Sequence, residues 1–240
     1  MNTQTLEKMT QMRLHGMKQA FDTLLETHQQ LTTDQTLAML IDAEWDYRTN
    51  SRTQRYIKQA AFRYQASVEH IRFDPQRSLD KNQILRLAEC GFLKKAENVL
   101  ITGLTGAGKS YLACAMGHQA CLKGYRVSYH NTQKLFAKLR MSKADQSYLK
   151  MIKNIEKADV LIMDDFGLEP LDQENRMMLL EIMEDRHGRK STIIASQLPV
   201  KKWYDIIGEN TIADAILDRI IHQAHRIEIK GQSMRKLKTT

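Results

Sequence analysis

Two rhythms of apolar residues divide the chain. Up to about residue 70 the apolar positions recur at helical spacing, as in Leu6, Met9, Leu14, Met17, Phe21 and Leu24, with no strand-like alternation. Thr32 and Gln35 form a Thr-x-x-Gln capping box, predicting a second helix whose Leu37, Leu40, Ile41 and Trp45 share a face. FDPQRSLD at 73–80 contains the first proline and reads as a break, and Asp80 is placed to cap a short helix ending near Gly91. From Glu97 the rhythm changes. Short apolar runs at ENVLIT, YRVSYH, ADVLIMDD, STIIASQ and HRIEIK alternate with helical stretches, which predicts a parallel sheet covered on both faces. The expected organisation is a small all-helical domain over residues 1–71, followed by an α/β domain over 72–240.

Composition narrows the classes. The longest apolar runs, such as VLIM at 160–163, suit buried strands and are far too short to cross a bilayer, so no membrane partner is expected. The N-terminus lacks the apolar core of a secretory signal, and Cys90, Cys114 and Cys121 form no CxxC pair. Together these predict reduced, buried thiols in a cytoplasmic setting. The net charge is +8. It divides as +2 over residues 1–97, +4 over 98–170 and +2 over 171–240, an excess that favours a polyanionic partner without identifying one.

The candidate chemistry begins at GLTGAGKS, residues 103–110, which fits G-x-x-x-x-G-K-[S/T] between a predicted strand and a predicted helix. Gly103, Gly106 and Gly108 let backbone N–H groups turn toward phosphate oxygens, Lys109 reaches the β- and γ-phosphates, and Ser110 ligates Mg²⁺. VLIMDD then ends a buried strand in two acids: Asp164 to hold Mg²⁺ through water, and Asp165 to orient or deprotonate the attacking water. A second acid at this place favours hydrolysis over transfer to an acceptor. Gln197, at the end of STIIASQ, sits where a side chain could sense the γ-phosphate, or simply at a polar strand–loop junction. Arg219 lies off the centre of the apolar face formed by Ile212, Ala215, Ile216 and Ile220. It reads either as a surface residue or as an arginine completing a neighbouring subunit's site.

The set GLTGAGKS, VLIMDDFG, SQLP, DAILDRI and GQSMRK resembles the IstB-type helper ATPases of bacterial insertion sequences, relatives of DnaC helicase loaders and DnaA initiators in the AAA+ superfamily. The resemblance covers nearly the whole chain. It implies an AAA+ P-loop core behind a helical N-terminal domain, with ATP and Mg²⁺ as cofactors. Gly103, Leu104, Thr105, Gly106, Ala107, Gly108, Lys109, Ser110 and Tyr111 would hold the nucleotide. Asp164 would be the metal residue and Asp165 the catalytic acid. Gln197 takes the sensor-one position, Arg219 that of an arginine finger acting in trans, and Arg235 a sensor-two position. Most AAA+ members carry Asp-Glu where this chain has Asp-Asp, which suits slow, regulated hydrolysis. The implied function is an oligomer that assembles on duplex DNA with ATP, deforms it and recruits or stimulates a separate transposase. A DnaC-like loader of a replicative helicase on single-stranded DNA is the alternative.

Two basic stretches are candidate DNA contacts, both largely independent of base sequence. The first, residues 47–65, places Arg48, Arg52 and Arg55 on one helix face with tyrosines interleaved. The second, residues 134–157, carries a local +5 through Lys134, Lys138, Arg140, Lys143, Lys150, Lys153 and Lys157 against Asp145 and Glu156.

Overall fold

A computed structural model describes residues 2–27 and 31–231. The chain divides into two compact units, Met1–Arg55 and Tyr56–Thr240.

In the first unit, α1 (Asn2–Gln11) and α2 (His15–Thr27) are separated by a turn in which Arg13 adopts φ 60°. The long α3 (Thr33–Ala60) follows and gives its last turn to the second unit. The capping box forms: Gln35 N–H donates to Thr32 Oγ1 at 3.3 Å, and Thr32 N–H donates to Gln35 Oε1 at 3.0 Å. Glu44 on α3 accepts from the Gly16 and Met17 N–H groups at 2.9 and 3.1 Å, satisfying two first-turn donors of α2. Burial opposes the ionised carboxyl. The Arg48 hydrogen bond at 2.6 Å and the two N–H bonds outweigh it, so its pKa falls below the ordinary value. Leu37, Ile41 and Trp45, predicted to share a face, are exposed.

The second unit begins earlier than residue 72. Tyr56, Ala60, Ala66, Val68 and Ile71 are buried in its core, so residues 56–71 belong to it. Helical periodicity carried on through Ala60, but Ala61 (φ 54°) ends the helix, and an irregular stretch with 3-10 turns at Val68–His70 and Pro75–Arg77 follows. Next come α4 (Lys81–Ala88), capped by Asp80 as expected, and the short α5 (Gly91–Lys94). The remaining order is β1 (Val99–Gly103), α6 (Lys109–Leu122), β2 (Val127–Asn131), α7 (Thr132–Ala144), α8 (Tyr148–Glu156), β3 (Val160–Phe166), α9 (Gln173–Arg186), β4 (Ser191–Ser196), α10 (Trp203–Ile207), α11 (Asn210–Ile221) and β5 (His225–Ile229).

All five strands run parallel in the order β2-β3-β4-β1-β5, and each coincides with one of the predicted apolar runs. Alternation along the strands builds two cores. Val160 and Ile162 of β3 join Val99 and Ile101 of β1 beneath α6 and α4, whereas Leu161, Met163 and Leu100 face α7, α9 and α11. The sheet is thus covered on both faces, as the alternating strands and helices of the sequence predict. Its three cysteines are free and buried, and burial pushes their thiols up to about 11 (Cys90 and Cys114) and about 12 (Cys121).

Candidate nucleotide site

In a parallel sheet the C-terminal strand ends and the loops leaving them form a natural ligand crevice. Here β1 runs into the loop 103–108, and α6 starts at Lys109. Two glycines of the loop are required by their surroundings. A Cβ on Gly103 (φ 149°) would stand 2.2 Å from the Ile229 carbonyl oxygen, and Gly108 (φ 96°) would place one 2.8 Å from Arg77 Nη2. Lys109 Nζ donates to the Leu104 carbonyl at 2.8 Å, arching back over the loop.

The two acids reach the cleft by different routes. Asp164 is fully buried and pairs in register with Asn131 of β2. Its Oδ1 accepts from Ser110 Oγ at 2.9 Å, and its Oδ2 accepts from Tyr129 Oη at 2.5 Å. Burial raises the Tyr129 phenol above its ordinary value and the bond to Asp164 raises it further, so it stays a proton donor. Strict alternation would turn Asp165 to the opposite face of the sheet. Instead the β3–β4 register shifts between Met163 and Phe166, and Asp165 takes φ 57°. Both carboxylates consequently lie beside one guanidinium: Arg63 Nη1 is 3.2 Å from Asp165 Oδ2 and 3.9 Å from Asp164 Oδ2. Asp165 Oδ2 also accepts from Asn131 Nδ2 at 3.0 Å.

Gln197, one residue beyond β4, accepts through Oε1 from Thr105 Oγ1 at 2.6 Å, which places the predicted sensor against the phosphate loop. The cleft has a volume of about 740 Å³. One wall is Thr105, Gly106, Gly108, Lys109, Ser110, Tyr111, Asp165 and Gln197; the other is Arg63, Tyr64, His70, Ile71, Arg72, Arg77 and Leu79. That size and mixed lining suit a nucleotide.

Sequence reasoning missed the second wall. Arg77 Nη2 donates to the Ala107 carbonyl at 2.8 Å and Nη1 to the Arg72 carbonyl at 2.6 Å, so this arginine braces the loop from outside. Its Nε is buried without a partner among the described residues, and burial lowers its pKa against the opposing pull of Asp74. In the sequence Arg63 stands out only as part of the basic stretch 47–65, and nothing local ties it to Asp165, 102 positions away.

Arg219 lies apart from this cleft. Its carbonyl and that of Ile220 accept from Asn98 Nδ2, immediately before β1, so it sits at the N-terminal ends of the strands. The guanidinium donates to the Ala215 carbonyl at 2.7 Å and pairs with Glu184. Arg235 lies outside the described residues. Of the candidate DNA contacts, Arg48 pairs with Glu44, Arg140 with Asp172 and Lys143 with Glu174. Lys134, Lys138, Lys150 and Lys153 are exposed and form no ion pair with another described residue. Arg52 and Arg55 are exposed on α3. Among the described residues no helix is long and apolar enough to cross a membrane.

The family model of the IstB-like ATP binding proteins matches residues 7–240. An insertion sequence ATP-binding protein of Sinorhizobium fredii is 42% identical over 234 residues, covering 97% of this chain and 96% of its own. Among solved structures, DnaI superposes with a TM-score of 0.61 at 23% identity, covering 74% of this chain and 94% of its own. The DnaC helicase loader superposes at 0.60 and 21%, covering 73% and 99%. These two share the fold, and the match over almost the full length carries the assignment: the chain belongs to the IstB-like ATP binding protein family of insertion sequences.

Proposed function

We propose that this protein is an oligomerising, Mg²⁺-dependent ATPase that assembles on duplex DNA, deforms it and recruits or stimulates a separate transposase, with hydrolysis setting the lifetime of the assembly. The observation that carries the nucleotide reading is the Ser110–Asp164 hydrogen bond. It joins the first turn of α6 to the end of β3 beside the phosphate loop and Asp165. A hydroxyl and a buried carboxylate this close fit a hard divalent cation that takes its other ligands from phosphates and water. Mg²⁺ bound there would supply charge neutralisation of the triphosphate.

The chain's own residues take distinct roles in this reading. Backbone N–H groups of residues 103–110 and the N-terminus of α6 hold the phosphates, with Tyr111 beside them. Lys109 exchanges its Leu104 contact for phosphate oxygens. Asp165 orients the attacking water and takes its proton, and Gln197 bears on the terminal phosphate from β4. Aspartate is one methylene shorter than the glutamate usual in AAA+ proteins, which favours slow turnover and hence a clock rather than a motor. Arg219 stands at the far end of the strands from its own cleft, as a residue donated to a neighbouring subunit's site would.

The assembly reading draws on family membership and on the exposed cations of α7 and α8. The test is fluorescence anisotropy with duplex and single-stranded oligonucleotides, with and without Mg·ATP, alongside phosphate release. ATP-dependent preference for duplex supports the proposal. Preference for single strands would favour a loader-like activity, and phosphoryl transfer to a small acceptor would point to a kinase.

A further inference from the structure

Arg63 is placed where two demands compete. Its Nη1 donates to Asp165 Oδ2 at 3.2 Å, and the same oxygen accepts from Asn131 Nδ2 at 3.0 Å. Asp165 Oδ2 therefore holds a guanidinium and an amide at once, and a water reaching that oxygen must displace one of these donors. The guanidinium also borders the cleft that holds Thr105, Lys109 and Ser110. Its side chain is 42% exposed, and its Cζ lies over the Tyr64 ring, 5.4 Å from the centroid. The group is anchored at its base by the stretch after α3, and its tip borders open cleft.

We propose that Arg63 reads the terminal phosphate of the nucleotide and, in moving to it, releases Asp165 for the attacking water. The proposal rests on the nucleotide reading above. A triphosphate carries several negative charges where Asp165 carries one, and a guanidinium binds phosphate oxygens through paired N–H donors. A diphosphate lacks the group that would draw Arg63 away. Asn131, being neutral, gains nothing comparable and stays on Asp165. The fold thereby couples arrival of the γ-phosphate to availability of the base, within one subunit.

The test uses the full-length protein and measures affinity for a non-hydrolysable ATP analogue and for ADP, both with Mg²⁺. Arg63→Gln is expected to weaken the ATP analogue about tenfold or more and ADP less than twofold. Arg63→Lys should recover part of the preference, and it also serves if the glutamine variant folds poorly. Asp165→Asn removes the competitor for the guanidinium, so it should tighten the ATP analogue severalfold in the presence of Arg63 and not in the Arg63→Gln background. Equal losses for ATP and ADP, or additive effects of the two substitutions, would overturn the proposal and leave the nucleotide site standing. A wild-type protein that binds neither nucleotide would remove the site itself, and the proposal with it.

Discussion

Ser110 on α6, which lines the cleft, and Asp164 on β3, buried behind it, meet 54 positions apart through a 2.9 Å hydrogen bond. The bond ties the phosphate loop to the strand that carries both acids, and it predicts that the two acids fail differently when changed. Asp164→Asn or Ser110→Ala should raise the Mg²⁺ concentration needed for half-maximal ATPase. Asp165→Asn should not weaken nucleotide binding and should lower turnover by about 10²–10⁴. Mg²⁺ titrations of phosphate release, paired with nucleotide binding, separate the two.

Arg219 makes its contacts on its own subunit with Glu184 and the Ala215 carbonyl, away from its own cleft. Arg219→Ala and Lys109→Ala subunits should each be inactive alone. Mixed, they should recover part of the ATPase, because one supplies an intact cleft and the other an intact arginine. Phosphate release across a series of mixing ratios checks this, and a flat response would place Arg219 outside the reaction.

His130 is half-buried on β2, and its desolvation, helped by Lys138, lowers its pKa to about 4 from an ordinary 6.5. Between those values the unfolded chain binds the proton and the folded one does not, so stability rises with pH across the window and is lost as pH falls from about 6.5 toward 4. Between pH 7 and pH 5 the loss should be roughly 2 kcal/mol. Urea denaturation at the two pH values measures it, and His130→Gln should shrink the difference.

Exposed cations on α7 and α8 predict the salt response of DNA binding. Lys150→Ala with Lys153→Ala should weaken duplex binding at every sequence and reduce the slope of log affinity against log salt by about 2. Arg140→Ala and Lys143→Ala should do less, since each of these already faces an acid. Anisotropy at stepped salt concentrations reads both. An unchanged slope in the lysine pair would move the contact to Arg52 and Arg55 on α3.

Much of this architecture was legible in the chain because it is encoded locally. All five strands follow from short apolar segments, contiguous as in VLIM at 160–163 or alternating as in IEI at 227–229, and GLTGAGKS declares its loop by spacing alone. The capping residues Thr32 and Asp80 act on donors within three positions. What stayed hidden depends on tertiary geometry. The bulge at Asp165 overrides the alternation that would send it to the other face, and no residue type announces it. The second wall of the cleft, from Arg63 to Leu79, comes from a stretch without regular periodicity. It is recruited to the core by Ala66, Val68 and Ile71. Helical rhythm through Ala60 likewise concealed that the unit boundary falls inside α3.

The central claim is that ATP governs assembly on duplex DNA, and sedimentation velocity of full-length protein with a labelled duplex tests it most directly. With Mg·ATP the duplex should move in a large complex that dissolves as ATP is consumed. With Asp165→Asn the complex should persist, and with ADP or Lys109→Ala it should not form. Complexes of the same size and lifetime in ATP, in ADP and without nucleotide would contradict the account.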